Sequence, residues 1–421
     1  MDSRQKAILV TGTCDTKGDE ILYLKEYIES KGIRCLVLDL GLKEDPKNFT
    51  PDFTRQQLAE SIGSSLEELI ADAKAGRYEV AVEKLAKGAE AIILDLFKDG
   101  RIDGILAIGG SMGTAIGLRS LRCLPVGFPK VLISTVAVSD YLHPHFIKSD
   151  VILVQPISDF FGLNQWSKRD LKRAALTISN IVLEEEKLEE GKWIGLTAIG
   201  WVVSCVPPIK RLLEEKGFKV AIAHSVSMQT GILEDLIRQG VISGMLDLCP
   251  FELLHEVTGG ACHSRNRLMA AAETGIPTIV APGAIGVFTM NTLQMPAYKE
   301  QGRFTIEHNE ILGTAKPTIE EMIKTAELMC TRLNVSKGKV AVVIPKQGFF
   351  NYDREGKMYF NPEGRAAFIN VLKEKLDPKI NLEILDCHWE DLEFMVRIAE
   401  LCVEYFADIE EKVPALEACE G

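Results

Sequence analysis

What this sequence lacks narrows its chemistry. Its ten cysteines include no CxxC pair, and the closest Cys–His neighbours are Cys262-His263 and Cys387-His388. A finger-type zinc site needs clustered ligands, so the cysteines are expected to be reduced and mostly buried in a cytoplasmic protein. Positive charge is in deficit: 48 Lys and Arg against 60 Asp and Glu give a net charge of −12. That leaves no basic field to hold a nucleic-acid backbone. No secretory signal is visible, because Met1-Asp2-Ser3-Arg4-Gln5-Lys6 runs straight into a short apolar stretch. Nor is there a clean membrane span. Trp193 to Ile209 carries no charged residue but holds Pro207 and Pro208, and Thr274 to Tyr298 holds three Pro and three Gly. A spanning helix needs about 20 mainly apolar residues with a satisfied backbone. Both segments read instead as a buried strand running into a loop.

What is present is an ordinary globular composition, with 46% hydrophobic and 26% charged residues in 421. That length leaves room for two or three domains of roughly 150 residues. Short β-rich apolar runs alternate with longer helical patterns. Strands are expected at Ala7 to Val10, Arg34 to Asp39, Gly104 to Ile108, Val131 to Thr135 and Val151 to Val154. The intervening helices include Asp19 to Lys31, Val80 to Lys98, Ala115 to Leu121 and Asn164 to Lys187. The pattern is α/β: two Rossmann-like, doubly wound domains with mostly parallel sheets and a cleft between them. The acidic run Glu184 to Glu190 marks the boundary, giving domains 1–190 and 191–421. In the second half, strands are expected at Trp193 to Thr197, Lys219 to Ala223, Met245 to Leu248, Thr278 to Ala281, Val340 to Ile344 and Leu382 to Leu385. The last helix carries Leu392, Met395, Ile398, Cys402, Tyr405 and Phe406 as one apolar stripe. Core packing is its first use; a dimer interface or a crossover onto the first domain are the others.

Two strand-to-helix junctions stand out. The first is Gly12-Thr13-Cys14-Asp15-Thr16-Lys17. A helix start offers free N–H groups and partial positive charge, which suits an anion. Gly12 allows a close turn, Thr13 and Thr16 offer hydroxyls, and Lys17 offers a point charge. Asp15 is able to cap the helix or help hold Mg²⁺. A capped helix with no ligand reads equally well here. The second junction is Gly109-Gly110-Ser111-Met112-Gly113-Thr114. Glycines there let backbone amides approach phosphate oxygens, to which Ser111 and Thr114 are able to donate. A tight turn is the alternative. Thr135 ends the next strand and faces either ligand or neighbouring backbone.

The second half offers a looser set. Gly259 and Gly260 precede Arg265 and Arg267, whose guanidinium groups suit a carboxylate or phosphate. Glu252, Gly283 and Asn309 lie near other strand ends. His308 is the acid–base candidate, since histidine titrates near neutral pH, although a lone histidine more often only packs. His143 and His145 would need a third partner to ligate metal.

These motifs, in this order, resemble the uncharacterised bacterial and plant family built on the ATP-binding domain of the plant tobamovirus-resistance protein. The resemblance also rests on Leu124 to Lys130, Ser134-Thr135-Val136-Ala137, Leu246-Asp247-Leu248, Pro282-Gly283-Ala284, His308-Asn309 and Pro362-Glu363-Gly364, and it covers nearly the whole chain. It implies two Rossmann-like domains, a nucleotide held near the cleft and a homodimer. Site positions transfer best as Gly12, Thr13, Asp15, Thr16, Lys17, Gly109, Gly110, Ser111, Gly113 and Thr114. The chain departs from the family pattern at Met112 and in Ser225 to Gly231 and Glu310 to Ala315.

Three functions remain open on these residues. One is a cytoplasmic protein binding ATP and Mg²⁺, acting as an enzyme on a small anionic second substrate, with Lys17 and His308 as catalytic candidates and Arg265 and Arg267 facing that substrate. Another is a nucleotide-responsive binding or inhibitory module without turnover. The third is an enzyme that grips a phosphorylated or carboxylate metabolite without nucleotide. None involves nucleic acid or membrane.

Overall fold

The computed structural model describes residues 4–184, 189–226, 228–262, 264 and 266–410. They divide into two compact units, which part between residues 184 and 189.

In the first unit the order is β1 (Ala7–Gly12), α1 (Cys14–Glu29), β2 (Arg34–Asp39), α2 (Arg55–Ser61), α3 (Leu66–Lys74), α4 (Tyr78–Lys98), β3 (Gly104–Gly109), α5 (Ser111–Arg122), β4 (Lys130–Ser134), α6 (Pro144–Ile147), β5 (Ile152–Val154) and α7 (Gln165–Glu184). The strands form one parallel sheet ordered β2-β1-β3-β4-β5. β1 and β3 are buried along their whole length, as parallel strands covered on both faces must be. Leu9, Leu36 and Ile105 pack under α2 to α5; Ile8, Val37 and Leu106 pack under α1 and α7. Thr54 opens α2 through a capping box with Gln57.

The second unit runs β6 (Lys192–Ala198), α8 (Val206–Glu215), β7 (Phe218–His224), α9 (Met228–Arg238), β8 (Ile242–Asp247), α10 (Phe251–Thr258), α11 (Met269–Thr274), β9 (Thr278–Val280), β10 (Phe288–Asn291), α12 (Met295–Glu300), β11 (Thr305–Glu307), β12 (Leu312–Ala315), α13 (Ile319–Asn334), β13 (Val340–Pro345), α14 (Pro362–Lys375), β14 (Asn381–Leu385) and α15 (Leu392–Phe406). Its main sheet is parallel and ordered β14-β13-β9-β8-β6-β7. Both units are therefore α/β with doubly wound parallel sheets.

Several expectations need correction. The uncharged stretch from Trp193 does not end in a loop, because Pro207 and Pro208 occupy the first turn of α8, where a missing N–H costs nothing. The stretch from Thr274 carries a second strand, β10, which joins β12 and β11 in a small antiparallel sheet. Strands of three or four residues leave almost no periodicity to read. In α15 the buried side chains are Phe394, Ile398, Leu401, Cys402, Tyr405 and Phe406, while Leu392 is 72% exposed. The helix packs on α8 and β9 of its own unit. Among the described residues, no helix is long and apolar enough to cross a membrane.

Candidate functional site

The sheet of the first unit grows from β1 in two directions, to β2 on one side and to β3 on the other. At such a switch point the following segments leave on opposite faces and open a crevice beyond the strand ends. The register pairs Gly12 with Ile108, so the segment after Gly12 and the segment after Ile108 start side by side. The two glycine-bearing junctions therefore share one crevice.

Close packing explains most of the glycines. A Cβ at Gly12 would stand 2.8 Å from Ile108 Cγ2. One at Gly109 would stand 2.6 Å from Gly113 Cα, and one at Gly117 would stand 3.0 Å from Ala107 Cβ. This stripe lets α5 lie directly on β3. Gly110 differs, since a Cβ there would meet only Thr135 Oγ1, at 3.7 Å. Its side of the backbone faces open space.

The helix starts supply the donors. Gly110 is the N-cap of α5, and no side chain caps that helix. Thr13, the N-cap of α1, makes no cap bond either; its hydroxyl meets that of Thr16 at 2.8 Å. Near the end of β1, the fully buried Thr11 hydroxyl has no partner among the described residues. Strand alternation puts Thr11 on the same face of β1 as Leu9, the face α5 covers. A buried hydroxyl without a partner is costly, and this one lies one residue before the Gly12 junction.

Four loops close around this point. The Thr135 amide donates to the Gly109 carbonyl at 3.2 Å. The Val138 amide donates to Gln155 Oε1 at 3.0 Å. Lys17 Nζ donates to the Phe160 carbonyl, tying the segment after β5 back to α1.

Other expected site residues are engaged inside the fold. Asp15 Oδ2 accepts from the Leu42 and Lys43 amides at 3.1 and 2.9 Å, which leaves Oδ1 buried and unpartnered. The Lys17 ammonium is turned to Phe160 and Phe161 rather than to the α5 start. Because α5 begins at Ser111 and not at Ala115, Ser111 is exposed in its first turn and Thr114 turns inward. The Thr114 hydroxyl meets Ser134 Oγ at 2.6 Å, at the end of β4.

In the second unit, Arg267 does not face a substrate. It is 1% exposed and sits among the carboxylates of Asp247, Glu252 and Glu234, at 2.6, 3.2 and 3.5 Å. Burial opposes its charge, but Asp247 and Glu252 outweigh that and raise its pKa. Burial lifts the Asp247 and Glu234 carboxyls above their usual range, with Arg267 pulling the other way. Glu252 is buried in the same cluster and accepts from Thr230 Oγ1 at 2.6 Å. Arg265 lies outside the described residues. Gly259 ends α10 at φ +73°, and Gly260 leaves no room beside the Thr289 carbonyl. Gly283 is packed against the Leu248 carbonyl. His308 and Asn309 form the exposed β11–β12 turn, where Asn309 Oδ1 accepts from the Ile311 and Leu312 amides.

Sequence reading missed Thr11, Asp39 and Phe161. Asp39 accepts from the Cys14 and Gly41 amides at 3.0 and 2.8 Å and fixes the start of α1; burial raises its pKa. Its place at the end of a strand beside the first junction was the available signal. Gly109-x-Ser111-x-Gly113 also spells the hydrolase nucleophile-elbow spacing on a strand–turn–helix. An elbow strains its serine, whereas Ser111 is regular helix and has no positive φ. Among the described residues, no cluster of three or more His, Cys, Asp or Glu could hold a metal ion.

Comparison with known proteins follows the same division of the chain. The N-terminal domain of the Uncharacterised protein family (UPF0261) matches residues 6–187, and its C-terminal domain matches residues 191–406. A UPF0261 protein of Clostridium tetani is 33% identical over 399 residues, covering 94% of this chain and 98% of the relative. The ToMV resistance protein Tm-1(GCR237) of Solanum lycopersicum is 28% identical over 97% of this chain and 56% of its own length, so the chain spans about half of that protein. Among solved structures, a UDP-N-acetylglucosamine 2-epimerase from Rickettsia bellii overlaps 65% of this chain and 84% of its own, at 12% identity and a TM-score of 0.23. That overlap is too slight to bear on function. Matched in both halves and along almost its whole length, the chain belongs to the Uncharacterised protein family UPF0261.

Proposed function

We propose that the first unit binds the polyphosphate of ATP, with Mg²⁺, at the β1/β3 switch point of a cytoplasmic, homodimeric protein. The observation that carries this reading is the start of α5 at Gly110, which no side chain caps. Orphan amides at a helix start favour an anion, and open space beside Gly110 lets one approach. The ligand's own phosphates would hold the metal ion.

Titration calorimetry with ATP and Mg²⁺ tests this. Saturable binding is expected, and Gly110→Leu should weaken it at least ten-fold by filling the open side. Absence of binding, or binding that Gly110→Leu leaves unchanged, overturns the assignment.

A second reading, a nucleotide-responsive module without turnover, draws support from where the cations lie. Lys17 and Arg267 are both held by other parts of the fold, and His308 is on an exposed turn. The tomato relative is named as a resistance protein, a role that fits binding as well as catalysis. Phosphate release from bound ATP separates the two readings: turnover favours the enzyme, tight binding without release the module.

A further inference from the structure

Phe161 is 86% exposed, beside the fully buried Phe160. Single exposed apolar side chains are common, but this one is held in place. Lys17 Nζ donates to the Phe160 carbonyl, and the same ammonium lies 4.7 Å from the Phe161 ring centroid. One residue further along the chain, the Gly162 amide donates to Glu20 Oε1 at 2.9 Å, with Gly162 at φ +88° turning the chain. The backbone on both sides of Phe161 is thus tied to α1. The ring stands by Lys17 in the first turns of α1, in the segment that Lys17 ties back from β5 to the helix bordering the crevice.

We propose that Phe161 is a stacking platform for the flat heteroaromatic ring of the ligand, so that the site takes a nucleotide in preference to a bare or sugar-linked phosphate. This rests on the anion-site reading above. A fixed ring loses little conformational freedom when a base settles on it. An ammonium near the ring draws on its π electrons, which favours an electron-rich purine on the remaining surface. Stacking reads a π face and not a hydrogen-bond pattern, so ATP and GTP should bind alike.

The test compares ATP, GTP and inorganic tripolyphosphate, each with Mg²⁺, by calorimetry on the full chain. Wild-type protein should bind either nucleotide about ten-fold more tightly than tripolyphosphate. Phe161→Ala should bring that ratio close to one, and Phe161→Trp should restore it. Because the side chain is exposed, a circular dichroism spectrum unchanged by Phe161→Ala is expected and confirms that the ratio reports binding. Tripolyphosphate bound as tightly as ATP, or a ratio that survives Phe161→Ala, overturns the platform and leaves the anion site standing. No saturable binding of any of the three overturns both.

Discussion

The two units build the same switch point and fill it differently. In each, the first strand is flanked by the second and third, so a crevice opens where the chain turns to opposite faces. Next to the end of the first strand each unit places a buried threonine. Thr197 donates to Asp247 Oδ1 at 2.6 Å and accepts from the Cys249 amide at 3.0 Å. Thr11 has no such partner. The third strand ends in Asp247 in one unit and in Gly109 in the other. Around Asp247 the space is taken by Arg267, Leu248, Cys249, Val202 and Trp389, all buried. Around Gly109 it is left to backbone amides. Topology supplies a crevice; side chains decide whether the protein or a ligand fills it.

The largest expected effect comes from emptying the filled crevice. Arg267→Met leaves three buried carboxylates without their cation. A loss of roughly 3–5 kcal/mol is expected, read as an earlier denaturant transition of the second unit. An unchanged midpoint would mean that the cluster does not close that crevice.

The two threonines provide a matched pair. Thr197→Val strands Asp247 and the Cys249 amide and should cost about 2 kcal/mol. Thr11→Val removes a hydroxyl that has no partner and should raise the stability of the protein by about 1 kcal/mol. Opposite signs in chemical denaturation would sharpen the contrast, and equal losses would break it.

The smallest net effect concerns pH. His388 is buried near Arg354, which lowers its pKa to about 4. Its contribution is present above an unfolded value near 6.5 and is lost as pH falls toward 4. Burial raises Asp353 to about 6 against the pull of Arg365. Its contribution is present below its unfolded value and is lost as pH rises through 6. The two contributions oppose each other between pH 6.5 and 4 and partly cancel. His388→Asn removes the histidine contribution alone, so the stability of the variant relative to the parent should rise as pH falls from 6.5 toward 4. A stability difference between variant and parent that does not change over that range would refute the histidine's part in it.

Much of the first crevice was legible because glycine at a strand-to-helix junction has few uses besides close packing and ligand approach. Gly12, Gly109, Gly110 and Gly113 all fall there, although three of the four prove to be needed for packing. The second unit was misread for a related reason. Arg267 after a Gly-Gly pair looks like an anion clamp, and nothing local reveals that Glu234, Asp247 and Glu252 converge on it. The Lys17–Phe160 bond joins positions 143 residues apart, so no spacing rule finds it.

By itself the sequence determined the alternation of strand and helix, the two doubly wound halves and the glycine-bearing junctions at their strand ends. Those features depend on hydrophobic period and on backbone freedom, which neighbouring residues set. Only the tertiary structure decided which charges cancel, which hydroxyl is left without a partner and which ring stands exposed at the rim. Burial and pairing depend on what distant segments bring to the same place, and a charge or hydroxyl acquires its chemical role from those surroundings.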